Sequence, residues 1–336
     1  LLPLDSSEGP RGMKEANAAR SYSSPGNTLV TIGDLVLDVL LEVQLPVGAG
    51  GHQTARSLRY EAGGACTTIL AARGMGLDVA ALGAVGDDLP GRFLFELLVE
   101  AGVDIVALQM LPDSTTTTVL SLSDRQQGGH VFLGRYGQGG VIDFSDMAAQ
   151  RLTDAAAIFI PGYTLLEERL AGLVEGAFAW LALQSRRIYF DVGPFLGGLQ
   201  RDRVDEVLRL VDVLLLTEDE IAFVAHDLRD LQRRHPQLSI VLKLGERGCR
   251  ILSGGTDLHV PSIAVEVIDT IGAGDAFAAA FIWAELQGHS LADCGTIANA
   301  MGAASVGRAG AGRNVPSRAE LQALLDAHNR GIDLTC

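Results

Sequence analysis

Short apolar runs alternate along this chain with longer segments in which apolar residues recur every three to four positions. The runs at 29–33, 79–85, 156–160, 188–191, 213–216 and 239–243 are dominated by aliphatic side chains and are too short for helices, as expected of strands buried on both faces. Segments of helical spacing follow several of them, at 90–101, 165–183, 201–210 and 218–225. A β-branched, partly alternating run at 260–268 precedes a helix-like 276–286, and 291–306 reads as a last long helix. This rhythm predicts an α/β fold: a doubly wound, mostly parallel sheet flanked by helices. Residues 36–43, 115–123 and 130–133 break it, because only a turn at 124–129 and no helix separates the last two. They predict a small antiparallel β lid, with strands from about 36–60 and 115–134. Nothing between 28 and 330 divides the chain, which reads there as a single domain. Residues 1–27, rich in Ser, Pro, Gly and charge, read as a flexible tail with no apolar signal segment.

At the junction of 260–268 with the following helix stands Asp269-Thr270-Ile271-Gly272-Ala273-Gly274-Asp275. Gly272 and Gly274 allow a bent or left-handed backbone and a close ligand. The first turn of the helix offers unpaired amides at the positive end of its dipole, a site for an anion. A carboxylate at Asp275 could simply cap the helix, for about 1 kcal/mol. An anion cradle of Gly272, Ala273 and Gly274 beside a base at Asp275 is also the minimal equipment for phosphoryl transfer to an alcohol. Two commoner glycine motifs are excluded: Phe277 stands where a dinucleotide fingerprint needs its third glycine, which argues against a nicotinamide-dependent dehydrogenase, and Gly-Lys-Ser/Thr occurs nowhere. In doubly wound sheets ligands collect beyond the carboxyl ends of strands, where Asp34, Asp38, Asp191, Thr217, Lys243 and Asp269 all fall.

The Asp-Thr-x-Gly-Ala-Gly-Asp segment closely resembles the C-terminal signature of the ribokinase-like (PfkB) carbohydrate kinase family. Other parts of the chain follow in that family's order. Gly33-Asp34-Leu35-Val36-Leu37-Asp38 resembles its first-strand motif, Gly63-Gly64 the paired glycines near the sugar, and Gly83-Ala84-Val85-Gly86-Asp87-Asp88-Leu89-Pro90-Gly91 its N-terminal signature. Thr217-Glu218-Asp219-Glu220 stands where the family has Asn-x-x-Glu, and Lys243-Leu244-Gly245-Glu246-Arg247-Gly248 resembles the strand and turn beside the nucleotide. The resemblance implies ATP-dependent phosphorylation of a primary alcohol of a sugar or sugar-like molecule, with Asp275 as general base and Mg2+ bridging phosphates. It implies substrate contacts from Asp34, Asp38, Gly63, Gly64, Thr68 and Arg135, and nucleotide contacts from Thr217, Lys243, Gly245, Gly248, Thr270 and Asn299. Glu220 would approach Mg2+ through water, and Asp269 a monovalent cation such as K+. Thr67-Thr68 replaces the asparagine after the paired glycines, and Thr217 replaces that of Asn-x-x-Glu, so the acceptor stays open. A nucleoside kinase of the same superfamily and a catalytically silent sugar-binding regulator are the competing readings.

Charge and cysteine usage narrow the setting. A net charge of -15 argues against nucleic acid or an anionic membrane as partner, and it obliges a polyanionic nucleotide to be met by amides, magnesium and local basic residues. Cys66, Cys249, Cys294 and Cys336 are widely spaced, which suggests reduced thiols in a cytoplasmic protein rather than a zinc site or disulfide framework. No apolar run is long enough to span a bilayer. A homodimer is expected, because exposed edges of a small sheet are usually covered.

Overall fold

The computed structural model describes residues 26–124, 129–194, 196–308, 310 and 312–335; the tail up to residue 25, Cys336 and the tip of the turn at 125–128 lie outside them. Strand β1 (Thr28–Ile32) is an inner strand of the large sheet, parallel to β4 (Asp78–Gly86) on one side and β8 (Ala157–Pro161) on the other. Strands β9 (Arg187–Asp191), β10 (Val213–Thr217) and β11 (Ser239–Lys243) extend it in parallel beyond β8, and β5 (Leu108–Leu111) pairs in parallel with β4. The runs without alternation are therefore the strands buried on both faces. One core packs the helices α1 (Ala65–Gly74), α2 (Leu89–Glu100), α8 (Ala273–Leu286), α9 (Leu291–Val306) and α10 (Arg318–Ala327) against one face. A second core on the opposite face holds α3 (Asp146–Asp154), α4 (Ala171–Leu181), α5 (Arg201–Leu208), α6 (Ile221–Val224) and α7 (Leu228–Arg234).

Two expectations are corrected. The run 260–268 is not a strand: the sheet ends in an antiparallel hairpin of β12 (Cys249–Ser253) and β13 (Thr256–Val260), and residues 261–272 carry no regular structure. From the sheet edge the chain must travel back to α8, so Val267 and Ile268 are exposed, and the amides of Ile268 and Asp269 bond the Val306 carbonyl, at 2.7 and 3.1 Å, instead of a strand partner. The helix expected over 165–183 begins as 3-10 turns at Gly162–Leu165 and Glu168–Leu170 and becomes α-helical only from Ala171.

A separate four-stranded sheet stands beyond the carboxyl ends of β1 and β4, in the order β3-β2-β6-β7 with β2 (Leu35–Glu42), β3 (Ser57–Gly64), β6 (Thr117–Asp124) and β7 (Gly129–Arg135). Its outer pairings, β2 with β3 and β6 with β7, are antiparallel, and β2 with β6 is parallel. No helix among the described residues is long and apolar enough to cross a membrane.

Candidate active site

Helix α8 is apolar almost throughout and is buried from Ala276 to Ala284, so it is anchored in the core by its body and presents only its first turn. Gly272 precedes it in the left-handed region at φ 72°, a conformation that a side chain would oppose. Asp275 is the one acidic residue of that turn, and no side chain caps the helix, so Asp275 is not its cap. Thr68, fully buried on α1, donates its hydroxyl to the Asp275 carbonyl at 3.4 Å. The residue that replaces the expected asparagine thus props the backbone of α8.

Around Asp275 stand the ends of three adjacent strands. Asp191 closes β9, Thr217 closes β10 and Lys243 closes β11, with Thr217 and Lys243 in register. The Lys243 ammonium donates to both Asp191 carboxylate oxygens, each at 2.7 Å. A Cβ on Gly274 would lie 3.4 Å from the same nitrogen, so the ammonium faces the first turn of α8. Burial would depress Lys243, but Asp191, Glu220 and Asp275 outweigh it and hold the lysine above its usual range, while burial raises the Asp191 carboxyl against the pull of Lys243. Glu220 is buried, accepts the Thr217 amide at 2.8 Å, and is raised by burial, with Lys243 opposing. Asp275 is pushed up to about 7 by burial and by Asp191, against the pull of Lys243, with Asp38 and Glu220 adding. Tyr163 borders the same group: burial and the charges of Asp275, Asp191 and Glu220 drive its phenol above the ordinary range.

Asp38 approaches from the small sheet. It lies opposite Glu61 across β2 and β3, and burial together with Glu61 raises its carboxyl to about 7. A Cβ on Gly63 would coincide with this carboxylate, and Gly64 sits at φ 58° at the mouth of α1. The paired glycines therefore make room for Asp38 and turn the chain into α1.

The structure brings together Asp275, Gly272, Ala273, Gly274, Lys243, Thr217, Glu220, Asp38 and Gly63, and distributes the other candidates around them. Gly245, at φ 59°, and Gly248, at φ 92°, bracket the 3-10 turn after β11. Thr270 is exposed, and its carbonyl accepts the Ala273 amide at 3.4 Å. Asn299 is buried and donates to the Val260 carbonyl at 2.9 Å. Asp269 accepts the amides of Ile271 at 3.1 Å and Gly310 at 2.8 Å, which fixes the turn before α8. Arg135 is exposed and bonds Gln138 at 2.8 Å, and Asp34 is buried beneath the root of the small sheet. Sequence reasoning missed the Asp191–Lys243 pair and Tyr163. The available signal for Asp191 was its place as the last residue of an apolar strand.

Comparison with known proteins points the same way. The family model for pfkB family carbohydrate kinases matches residues 27–318. The chain is 29% identical to the ATP-dependent ribose-1-phosphate kinase of Halopiger xanaduensis, over 88% of this chain and 97% of that one. It is 26% identical to the nucleoside kinase of Methanothermobacter thermautotrophicus, over 88% and 95%. In fold it resembles Arabidopsis thaliana ribokinase solved with ribose and ATP, with a TM-score of 0.73, 20% identity, and coverage of 89% of this chain and 98% of that one. The signatures at 33–38, 83–91 and 269–275, the fold and the match over 27–318 agree: the chain belongs to the pfkB family of carbohydrate kinases, ATP-dependent phosphotransferases that act on sugars and nucleosides.

Proposed function

We propose that this chain transfers the γ-phosphoryl of ATP to a hydroxymethyl group of a sugar or nucleoside, with Asp275 as the general base. The observation that carries this reading is the Asp275 carboxyl, held near neutrality at the first turn of α8, beside the Lys243 ammonium and facing Asp38. The acceptor lies between Asp38, which holds its hydroxyls over Gly63, and Asp275, which removes the proton of the attacking hydroxyl as the O–P bond forms. The amides of Gly272, Ala273 and Gly274 and the Lys243 ammonium take the charge of the moving phosphoryl group. Thr217, Gly245, Gly248 and Thr270 border the nucleotide side.

The donor set fits magnesium. Asp191, Glu220 and Asp275 outnumber the single ammonium, so a bare polyphosphate would meet net repulsion and a cation-bearing one would not. Among the described residues no cluster of three or more acidic or imidazole side chains makes a metal cage, in keeping with a metal that retains most of its waters. When bound with ATP, magnesium would neutralise phosphate charge, with Glu220 holding it through water. The small sheet acts as the lid that excludes water during transfer.

A coupled ADP assay tests the reading, with ribose, fructose, 2-keto-3-deoxygluconate, adenosine, inosine and cytidine as acceptors. ADP release that depends on an acceptor is the expected result. Calorimetric binding of both ATP and an acceptor with no ADP release overturns it in favour of a silent regulator. The nucleoside arm decides the second reading, which the nucleoside kinase among the relatives favours.

The lid also carries the expected dimer. On its outer face Tyr60, Val39, Leu120 and Leu133 form one cross-strand row, and Leu58, Leu41, Leu122 and Val131 the next. Tyr60, Leu58, Leu133 and Val131 are all exposed. Asp38 and Glu61 have the opposite parity and face inward. A continuous apolar face of this kind is unusual on a monomer, and a second copy of the same sheet is its natural cover. Light scattering should give a dimer that the double substitution Leu58→Asp, Leu133→Asp converts to a monomer; a monomeric wild type would exclude the arrangement.

A further inference from the structure

The chain passes between the large and small sheets at Gly33–Leu35, at Gly64–Ala65, before β6 and after β7, and these passages gather around one buried guanidinium. Arg169 lies in the 3-10 turn Glu168–Leu170 that follows β8 and is 2% exposed. Its Nε donates to Glu167 Oε1 at 2.9 Å, and one terminal nitrogen donates to the Thr115 carbonyl at 2.9 Å, at the root of β6. The other terminal nitrogen stands 3.6 Å from Asp34 Oδ1, where β1 turns into β2. It also fills the space over Gly137, past the end of β7, where any Cβ would collide with it.

Secondary bonds tie the same roots together. The Gly137 amide donates to the Thr117 hydroxyl at 2.9 Å, that hydroxyl donates to Glu167 Oε2 at 3.3 Å, and the Thr115 amide donates to the Gln138 carbonyl at 2.7 Å. The Asp34 carbonyl accepts the Ala65 amide at 3.0 Å, joining the start of β2 to the end of β3. Apart from Glu167 and Arg169, which belong to the body, these groups lie where the chain enters or leaves the small sheet, with Thr117 the first residue of β6 and Ala65 the first of α1.

This cluster is a poor device for stability alone. Two buried carboxylates share one guanidinium, and neither Asp34 oxygen nor the Arg169 terminal nitrogen facing it has a hydrogen-bond partner. Burying such groups incompletely paired costs free energy that a set of apolar residues would not. A contact of 3.6 Å between these buried groups can shorten to a direct hydrogen bond with a small rotation of the segment that carries Asp34. Strand β2 begins at the next residue, Leu35, and carries Asp38 four residues after Asp34.

We propose that Arg169 is the positioning residue of the lid: its guanidinium, bound to Glu167 and the Thr115 carbonyl and facing Asp34, sets the angle of the small sheet over the crevice and so the distance from Asp38 to Asp275. The inference rests on the acceptor and base roles given above to Asp38 and Asp275. It assigns Asp34 to the pivot of the lid, where the sequence pattern had placed it among the substrate contacts.

Hydrogen exchange and kinetics of Arg169→Met, Arg169→Lys and Asp34→Asn test it on the full chain. Exchange should quicken in β2, β6 and β7 while β8, β9 and β10 keep wild-type protection. With an acceptor from the panel, kcat/KM for that acceptor should fall about 100-fold, the usual result of misplacing a reacting group by about an ångström. KM for ATP should stay unchanged and acceptor-independent ATP hydrolysis should rise. Uniformly faster exchange through both sheets, or wild-type exchange in the small sheet, overturns the proposal; so does an unchanged acceptor kcat/KM. Asp34→Asn keeps the shape of the cluster and decides the matter if the arginine variants do not fold. If no acceptor is phosphorylated, the exchange result still tests the pivot, so the pivot and the kinase reading fail separately.

Discussion

Asp275→Asn is expected to lower kcat by about 10^2 to 10^4, the range for removing a positioned general base, while the protein stays folded. The amide keeps the shape and the place on α8 but cannot accept the proton. The same substitution should raise thermal stability at neutral pH. The sign follows from linkage: the folded carboxyl titrates at about 7 and the unfolded one near its ordinary value, so the native state binds the extra proton between them. Stability therefore falls as pH rises through that interval, and the asparagine variant escapes the loss. A helix-cap role predicts the reverse, a loss of about 1 kcal/mol with activity intact. Wild-type kcat/KM should fall on the acid side of about 7, where the base is protonated. Differential scanning calorimetry at pH 5 and 8 beside the ADP assay separates the readings. A variant that is both less stable and nearly fully active would refute the base.

The parts of this protein legible in the sequence are those set by local chemistry. Strand β10 is readable because a strand covered on both faces needs apolar residues at every position, and Val213–Thr217 supplies them almost without exception. The turn before α8 is readable because its glycines and its aspartate lie within seven consecutive residues. The β12–β13 hairpin carried a signal that was passed over: Gly254-Gly255 at the turn, at φ 56° and 85°, is a two-residue loop of the kind that joins antiparallel strands. The apolar alternation of 260–268 misled because β-branched residues also occur where chain merely crosses a surface. Long-range pairing was the part out of reach. Lys243 meets Asp191 across 52 residues, and Thr117 meets Glu167 across 50. The parallel pairing of β2 with β6 spans a whole βα unit and more, and no local pattern specifies such a partner. The candidate site could thus be placed by its motif, but its electrostatics came only with the strand order.

Lys243→Met is expected to cost about 10^2 to 10^3 in kcat, the size of effect seen when one preorganised stabiliser of developing charge is removed. The ammonium faces the first turn of α8, and it is the cation that offsets Asp191, Glu220 and Asp275. Without it the Asp275 carboxyl should titrate higher still, so the acid limb of the pH profile should move to higher pH. The single variant will also lose stability, by about 3 to 5 kcal/mol, because breaking a buried pair leaves the Asp191 charge uncompensated. That loss could by itself imitate a catalytic defect. The double variant Asp191→Asn, Lys243→Met resolves it by removing both charges together. Most of the stability should return, since the energies of paired residues are not additive, while kcat stays low because the phosphoryl group still lacks its cation. Recovery of kcat along with stability in the double variant would make Lys243 a purely structural counter-ion to Asp191.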